Sequence, residues 1–216
     1  MAPNAVEPGR DQELSPSLVC AISAPAAANI LAMSCRLAGT RVIVRLPEQR
    51  DAQAIARYFG ENAQHLAVFS PAPPEYADPA LWRVCIETMR RQYADGDSCL
   101  TFLFDLDDAQ VIGTANLSDF VRGPFQAAYL GYSVAKAREG QGLMHEALQL
   151  LIDFAFGELR LHRIMANHMP RNERSAALLR RLGFVREGLA REYLRINGVW
   201  EDHVLTSLTN SAWRAD

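Results

Sequence analysis

Little in this sequence would serve a metal, a membrane or a nucleic acid. Its four cysteines, Cys20, Cys35, Cys85 and Cys99, form no C-x-x-C pair, and no histidine cluster stands at metal-ligand spacing. No metal is therefore expected, and the thiols read as reduced, small hydrophobes of a cytoplasmic protein. The net charge is only −3 and no long basic block occurs, so direct nucleic-acid binding is not expected. No run reaches the ~18 apolar residues of a membrane span. Neither G-x-x-x-x-G-K-[ST] nor G-x-G-x-x-G after a first strand is present, which excludes two common phosphate-binding folds.

What the chain does have is enough apolar content for one globular domain: 216 residues, 49% apolar and 22% charged. Residues 1–36 are set apart as a poorly ordered extension. They open acidic, with Glu7, Asp11 and Glu13, and then turn Ala-rich around Pro25. This is neither the basic start nor the unbroken apolar core of a signal peptide. Met33 is an alternative translation start. Residues 37–213 form the expected domain.

Within it, Arg41 to Leu46 is β-branched and stops at Pro47, which reads as a strand. Ala52, Ile55, Ala56 and Phe59 then repeat at helical spacing. A second helix is predicted from Asp78 as N-cap and Pro79 to Gly96. Three strands follow, 99–106, 110–118 and 127–134, joined by turns short enough for antiparallel hairpins. Leu143, Ala147, Leu150, Leu151 and Phe154 mark a third helix. A strand over 162–167 and a helix over 172–182 come next, with Gly183 as C-cap. Two strands close the chain around Asn197-Gly198, a strong hairpin signal. The order predicts a mixed α/β (α+β) domain whose sheet is mostly antiparallel and flanked by helices.

Two short segments carry chemistry. In Glu139-Gly140-Gln141-Gly142-Leu143-Met144, two glycines let the chain turn tightly just before an apolar helix. Successive N–H groups at the positive end of that helix make a site for a diphosphate, although glycines here also suit an ordinary loop. In Asn172-Glu173-Arg174-Ser175, Asn172 taken alone reads first as an N-cap and second as a ligand for a cofactor arm, with Ser175 beside it.

Together, the glycine turn, the helix, the strand and N-x-x-S…L-G-F resemble the acetyl-CoA-binding core of the GNAT superfamily of N-acetyltransferases. The stretches Val111–Val134, Glu139–Leu148, His162–Ser175 and Ile196–Leu208 are similar to the branch that acetylates the N-terminal alanine of a ribosomal protein. The resemblance runs from about Arg41 to Trp213. It implies two splayed central strands with acetyl-CoA as cosubstrate in the gap. Tyr132, Ser133 and Val134 would meet the pantetheine arm, and Gly140, Gln141, Gly142, Leu143 and Met144 the pyrophosphate. Asn172 and Ser175 would lie near the sulfur. It also implies a ribosomal protein N-terminus as acceptor, with a monomer and a dimer both compatible. Other acceptors compatible with such a core are a polyamine or an antibiotic, and a ribosome-assembly module with little catalysis is a further alternative.

Three positions depart from the superfamily pattern: Glu139 where Gln or Arg is usual, Met144 where a small residue is usual, and Leu179 where many relatives place a general-acid tyrosine. Ser175, from its place three residues after Asn172, is the expected proton donor to the leaving thiolate. Asp119, Asp202 and, through water, Tyr129 are candidates for the base. Tyr129 and Tyr132 also suit core packing, Tyr193 and Trp200 are expected to pack across the terminal hairpin, and His145 and His203 receive no role.

Overall fold

The computed structural model describes residues 35–71 and 73–214; the proposed extension and the Met33 start lie outside the described residues. Eight strands form one sheet in the order β1-β2-β3-β4-β5-β6-β8-β7. They are β1 (Arg36–Ala38), β2 (Ile43–Arg45), β3 (Cys99–Phe104), β4 (Val111–Val121), β5 (Ala127–Val134), β6 (Arg163–His168), β7 (Val185–Ile196) and β8 (Val199–Thr209). Four helices complete the fold: α1 (Ala52–Leu66), α2 (Pro79–Asp95), α3 (Leu143–Gly157) and α4 (Glu173–Arg181). Every strand pair is antiparallel except β5–β6. The mixed, mostly antiparallel architecture is thus the one the pattern predicts.

Alternation along the strands sorts side chains into two cores. Cys99 and Leu103 of β3, with Ala115 and Leu117 of β4, meet Leu143, Ala147, Leu148 and Leu151 of α3 and Leu178 and Leu179 of α4. Phe102 and Phe104 point the other way, to Ile55 and Tyr58 of α1 and Trp82 and Ile86 of α2. The sheet is therefore covered on both faces, α1 and α2 on one side, α3 and α4 on the other.

Local signals place several ends where expected. The Asp78 side chain accepts from the Ala80 N–H at 2.8 Å, and Gly96 closes α2 in the left-handed region. Asn197 and Gly198 both have positive φ, +49° and +89°, which a type I′ hairpin requires. Other ends shift. The strand expected at 41–46 is reduced to β2, because Arg41 is drawn to α3. β3 stops at Phe104, because the Asp105 carboxylate takes the N–H groups of Ala109 and Gln110 and starts the turn early. β4 runs past Ser118 through a bulge at Asp119, whose φ is +53°. β1 has no counterpart in the pattern.

Between the sheet and α1, Arg45 is 2% exposed. Its guanidinium makes two bonds to Asp51, at 2.7 and 3.0 Å, and one to Asp108 at 2.7 Å. It also lies 3.7 Å over the Phe104 ring. A charge this deep is tolerable only while paired. Asp51→Ala should lower the free energy of unfolding by about 3 kcal/mol, read as a reduced urea midpoint. Replacing Arg45 and Asp51 together by Met and Leu should cost much less.

Candidate active site

β5 and β6 pair only at Ala127↔Arg163, Ala128↔Ile164 and Tyr129↔Met165. Beyond Tyr129, β5 stays on β4 as far as Val134, while β6 stays on β8 as far as His168. The two parallel strands therefore part in mid-sheet. The Ala135 N–H bonds the Ile112 carbonyl at 2.9 Å. Antiparallel alternation then turns the backbone groups of Tyr129, Gly131 and Ser133 toward β4, and those of Leu130, Tyr132 and Val134 toward the gap. Of the three strand residues singled out by sequence, Tyr132 and Val134 offer main-chain groups there. Ser133 does not: its hydroxyl lies 2.8 Å from the Tyr58 hydroxyl and 2.7 Å from that of Thr114.

β5 leads into the glycine turn. Gly140 and Gly142 have φ of +72° and +76°, which side chains with a Cβ adopt at a cost. Gly142 caps α3. Among the described residues, the backbone N–H groups from Gly140 to His145 make no hydrogen bond within the chain. The turn's carbonyls face Arg41 instead, whose guanidinium donates to those of Gln141 at 2.8 Å and Gly142 at 3.4 Å. Arg41 is in turn fixed by Glu146 of α3, which accepts from its Nε at 2.7 Å and its N–H at 2.9 Å. Glu146 also accepts from the N–H and hydroxyl of Thr40, at 2.6 and 2.9 Å. This clamp holds the row of donors outward, and Leu143 and Met144 are anchored below it in the core.

Polar side chains steady the same segment from both faces of the sheet. From α1, Asn62 accepts the Lys136 N–H at 2.9 Å, and His65 Nε2 lies 3.6 Å from Glu139. From α4, Arg174 pairs with Glu139. The carboxylate at the unusual position is thus engaged by Arg174 and His65 rather than turned against a bound anion. Asn172 acts as the α4 cap, accepting the Ser175 N–H at 3.1 Å. The Ser175 hydroxyl meets that of Tyr132 at 2.7 Å. Burial, only partly offset by that bond, pushes the Tyr132 phenol up to about 12, so it holds its proton at neutral pH. Leu179 is 1% exposed in the core and fills no polar role.

The remaining sequence candidates scatter. Asp119 sits in its bulge, accepting from Ser118 at 2.9 Å, at the end of β5 where the strands are still paired. Asp202 accepts the Glu192 N–H at 2.9 Å in a bulge of β7. Tyr129 is exposed on the face covered by α1 and α2. Trp200 is 58% exposed opposite Arg195, while the Tyr193 ring lies against His203. Arg41 and Glu146 escaped the sequence reading because their link joins positions about a hundred residues apart. No group of three or more metal-ligating side chains occurs among the described residues, and no described helix is long and apolar enough to cross a membrane.

Burial would raise the Glu146 carboxyl, but the bonds from Arg41 and Thr40 outweigh it and hold it below the usual range. A carboxyl held low contributes stability that is complete above its unfolded pKa and is lost as pH falls through the folded one. Glu146→Gln should therefore lower Tm at pH 7, by the equivalent of about 1.5–3 kcal/mol. The gap from wild type should close as the pH drops below about 4.

A family model described as Acetyltransferase (GNAT) domain matches residues 41–185. The [Ribosomal protein uS5]-alanine N-acetyltransferase of Escherichia coli (strain K12) is 44% identical over 179 residues, covering 82% of this chain and 92% of its own. The crystal structure of ribosomal-protein-S5-alanine acetyltransferase from Vibrio fischeri superposes with a TM-score of 0.80 at 38% identity, over 83% of this chain and 99% of that one. Mycobacterium smegmatis RimJ in complex with CoA-disulfide gives 0.75 at 28% identity, over 81% of this chain and 85% of that one. Parted strands beside a turn of free amides, on a chain with these relatives, make it a member of the GNAT family of N-acetyltransferases.

Proposed function

We propose that the chain transfers the acetyl group of acetyl-CoA to the α-amine of an N-terminal alanine on a small-subunit ribosomal protein, uS5, in the cytoplasm. The observation that carries the acceptor is the 44% identity to the uS5-alanine enzyme over almost its whole length. The cosubstrate rests on the row of unpaired N–H groups beside the parted strands. The domain doing this work is residues 37–213 as read from the sequence, with Cys35 also in the core and Arg36 in β1.

The residues present fit acetyl-CoA. The amides of Gly140, Gln141, Gly142, Leu143 and Met144 supply donors for its pyrophosphate. The backbone of Tyr132 and Val134 extends an open strand edge to its pantetheine arm. Once bound, it supplies a thioester carbonyl for an amine to attack. An α-amine, with a pKa near ~8 against ~10.4 for lysine, is partly neutral at physiological pH. Positioning and one backbone donor to the developing oxyanion then supply much of the rate; such a donor is worth about 2.7–4 kcal/mol. Ser175 delivers its hydroxyl proton to the leaving sulfur and takes one from Tyr132, whose phenol stays protonated until then and regains its proton from water before the next turnover.

An acetylation assay on an alanine-starting peptide from the ribosomal acceptor, with spermidine and an aminoglycoside alongside, tests the acceptor. Mass spectrometry should locate one acetyl group on the peptide's α-nitrogen; turnover confined to the small amines would overturn the assignment. Ser175→Ala should lower kcat about 10²-fold with acetyl-CoA affinity within about twofold of wild type, and an unchanged kcat would exclude Ser175 as the donor.

A further inference from the structure

β5 is an interior strand, yet one of its residues lies bare on the sheet face that α1 and α2 cover. Gly131 is exposed, while its neighbour Leu130 is buried in the opposite core. Alternation fixes the face. The Ser133 hydroxyl, two residues on, meets that of Tyr58 of α1 at 2.8 Å, so Gly131 and Tyr129 share the side of α1. A Cβ at Gly131 would have no atom of the described residues within 4 Å. One at Gly113 of β4, by contrast, would stand 2.5 Å from the Ser133 carbonyl oxygen. Gly131 also sits in extended strand backbone, outside the left-handed region. Neither conformation nor packing therefore asks for glycine here. In a strand interior such a glycine marks the close approach of a ligand.

Asn116 of β4 stands directly opposite Gly131. It projects onto the same face as Thr114, whose hydroxyl meets that of Ser133 at 2.7 Å. The Asn116 Oδ1 is buried and meets no donor among the described residues. An unpaired buried acceptor is costly, and the broad χ2 of asparagine lets the amide turn that oxygen to an arriving N–H. Tyr129, 37% exposed, borders the same space on one side, and the Ser133–Tyr58 pair on the other. Position relative to the gap decides what fits there. β5 and β6 part just after Tyr129↔Met165, so Gly131 lies where they are separated, between Leu130 and Tyr132. Ser175 and the start of α3 lie on the opposite face. A thioester held from that face leaves its carbonyl carbon approachable from the side of Gly131.

We propose that Gly131 and Asn116 form the seat of the acceptor's first residue, with its α-carbon over Gly131 and its amine on the Asn116 Oδ1. The proposal deepens the transferase reading above and rests on it. An α-amine stands on a branched carbon and needs more room beside its nitrogen than the end of an unbranched chain does. The missing side chain at position 131 provides that room. A larger residue there shuts out the branched carbon first. Neither residue makes or breaks a covalent bond; they place the nitrogen at the gap.

The test compares wild type, Gly131→Ala, Gly131→Val and Asn116→Leu with the alanine-starting peptide and with spermidine. Calorimetry follows peptide binding to the enzyme–CoA complex, and acetyl-CoA affinity and Tm are read alongside. Gly131→Ala should lose about 10-fold in peptide kcat/KM, chiefly through KM, and Gly131→Val more, with acetyl-CoA affinity within about twofold of wild type. The Tm of Gly131→Ala should hold or rise, because alanine suits a strand interior better than glycine. Asn116→Leu should raise peptide KM about tenfold with Tm kept, since no side-chain bond within the chain is lost. Unchanged peptide KM and binding in both Gly131 variants overturn the seat and leave the transferase reading intact. A loss that comes with lowered Tm or lost acetyl-CoA binding overturns it too, and unchanged KM in Asn116→Leu removes the amine's contact. Gly131→Ala decides alone if Gly131→Val fails to fold. Wild type that acetylates no amine overturns the transferase reading, and the seat is then judged on peptide binding. Turnover of spermidine without the peptide overturns both the acceptor and the seat.

Discussion

A strand inside a sheet ordinarily spends its main-chain donors and acceptors on two neighbours, and β5 beyond Tyr129 has only one. Leaving such groups unpaired away from water is costly, so the parting survives only because other contacts over-determine it. β4 holds one edge of β5 as far as Val134, β8 holds β6 as far as His168, and the two helical cores fix the layers on either side. The open edge is then a fixed template for an extended polar ligand. The glycine turn continues the same design a few residues on, with carbonyls engaged by Arg41 and amides left outward.

The cost of this arrangement is carried by side chains rather than by sheet pairing. α1 grips the segment from β5 to the turn at Ser133, Lys136 and Glu139, through Tyr58, Asn62 and His65. These positions, spaced i, i+4 and i+7, form one stripe of the helix. α4 grips it from the opposite face at Tyr132 and Glu139, through Ser175 and Arg174. The tip of the β7–β8 hairpin is tied to the end of α1, where Asn197 donates to the Ala67 carbonyl at 2.6 Å. The β7–β8 hairpin and the glycine turn thus share α1 as a common brace.

How much of this was legible in the sequence depends on the range of each signal. Asn197-Gly198, Asp78-Pro79 and Asn172 with Ser175 are local, because a turn or cap is decided by residues within a few positions. They fell where the pattern put them. The glycine turn was equally legible, since positive φ is a demand on single residues. Arg41 with Glu146, Tyr132 with Ser175 and Arg45 with Asp108 are long-range partners brought together only by the sheet order. No periodicity announces them. β1 was missed because three residues paired to an equally short β2 are too brief for alternation to register.

The same distinction explains why the base was the hardest residue to assign. Position near strand ends made Asp119 and Asp202 candidates beside Tyr129, and spacing could not choose among them. In both cases, however, the carboxylate has another use beside a bulge: that of Asp119 accepts from the Ser118 hydroxyl, and that of Asp202 takes the Glu192 N–H of the facing strand.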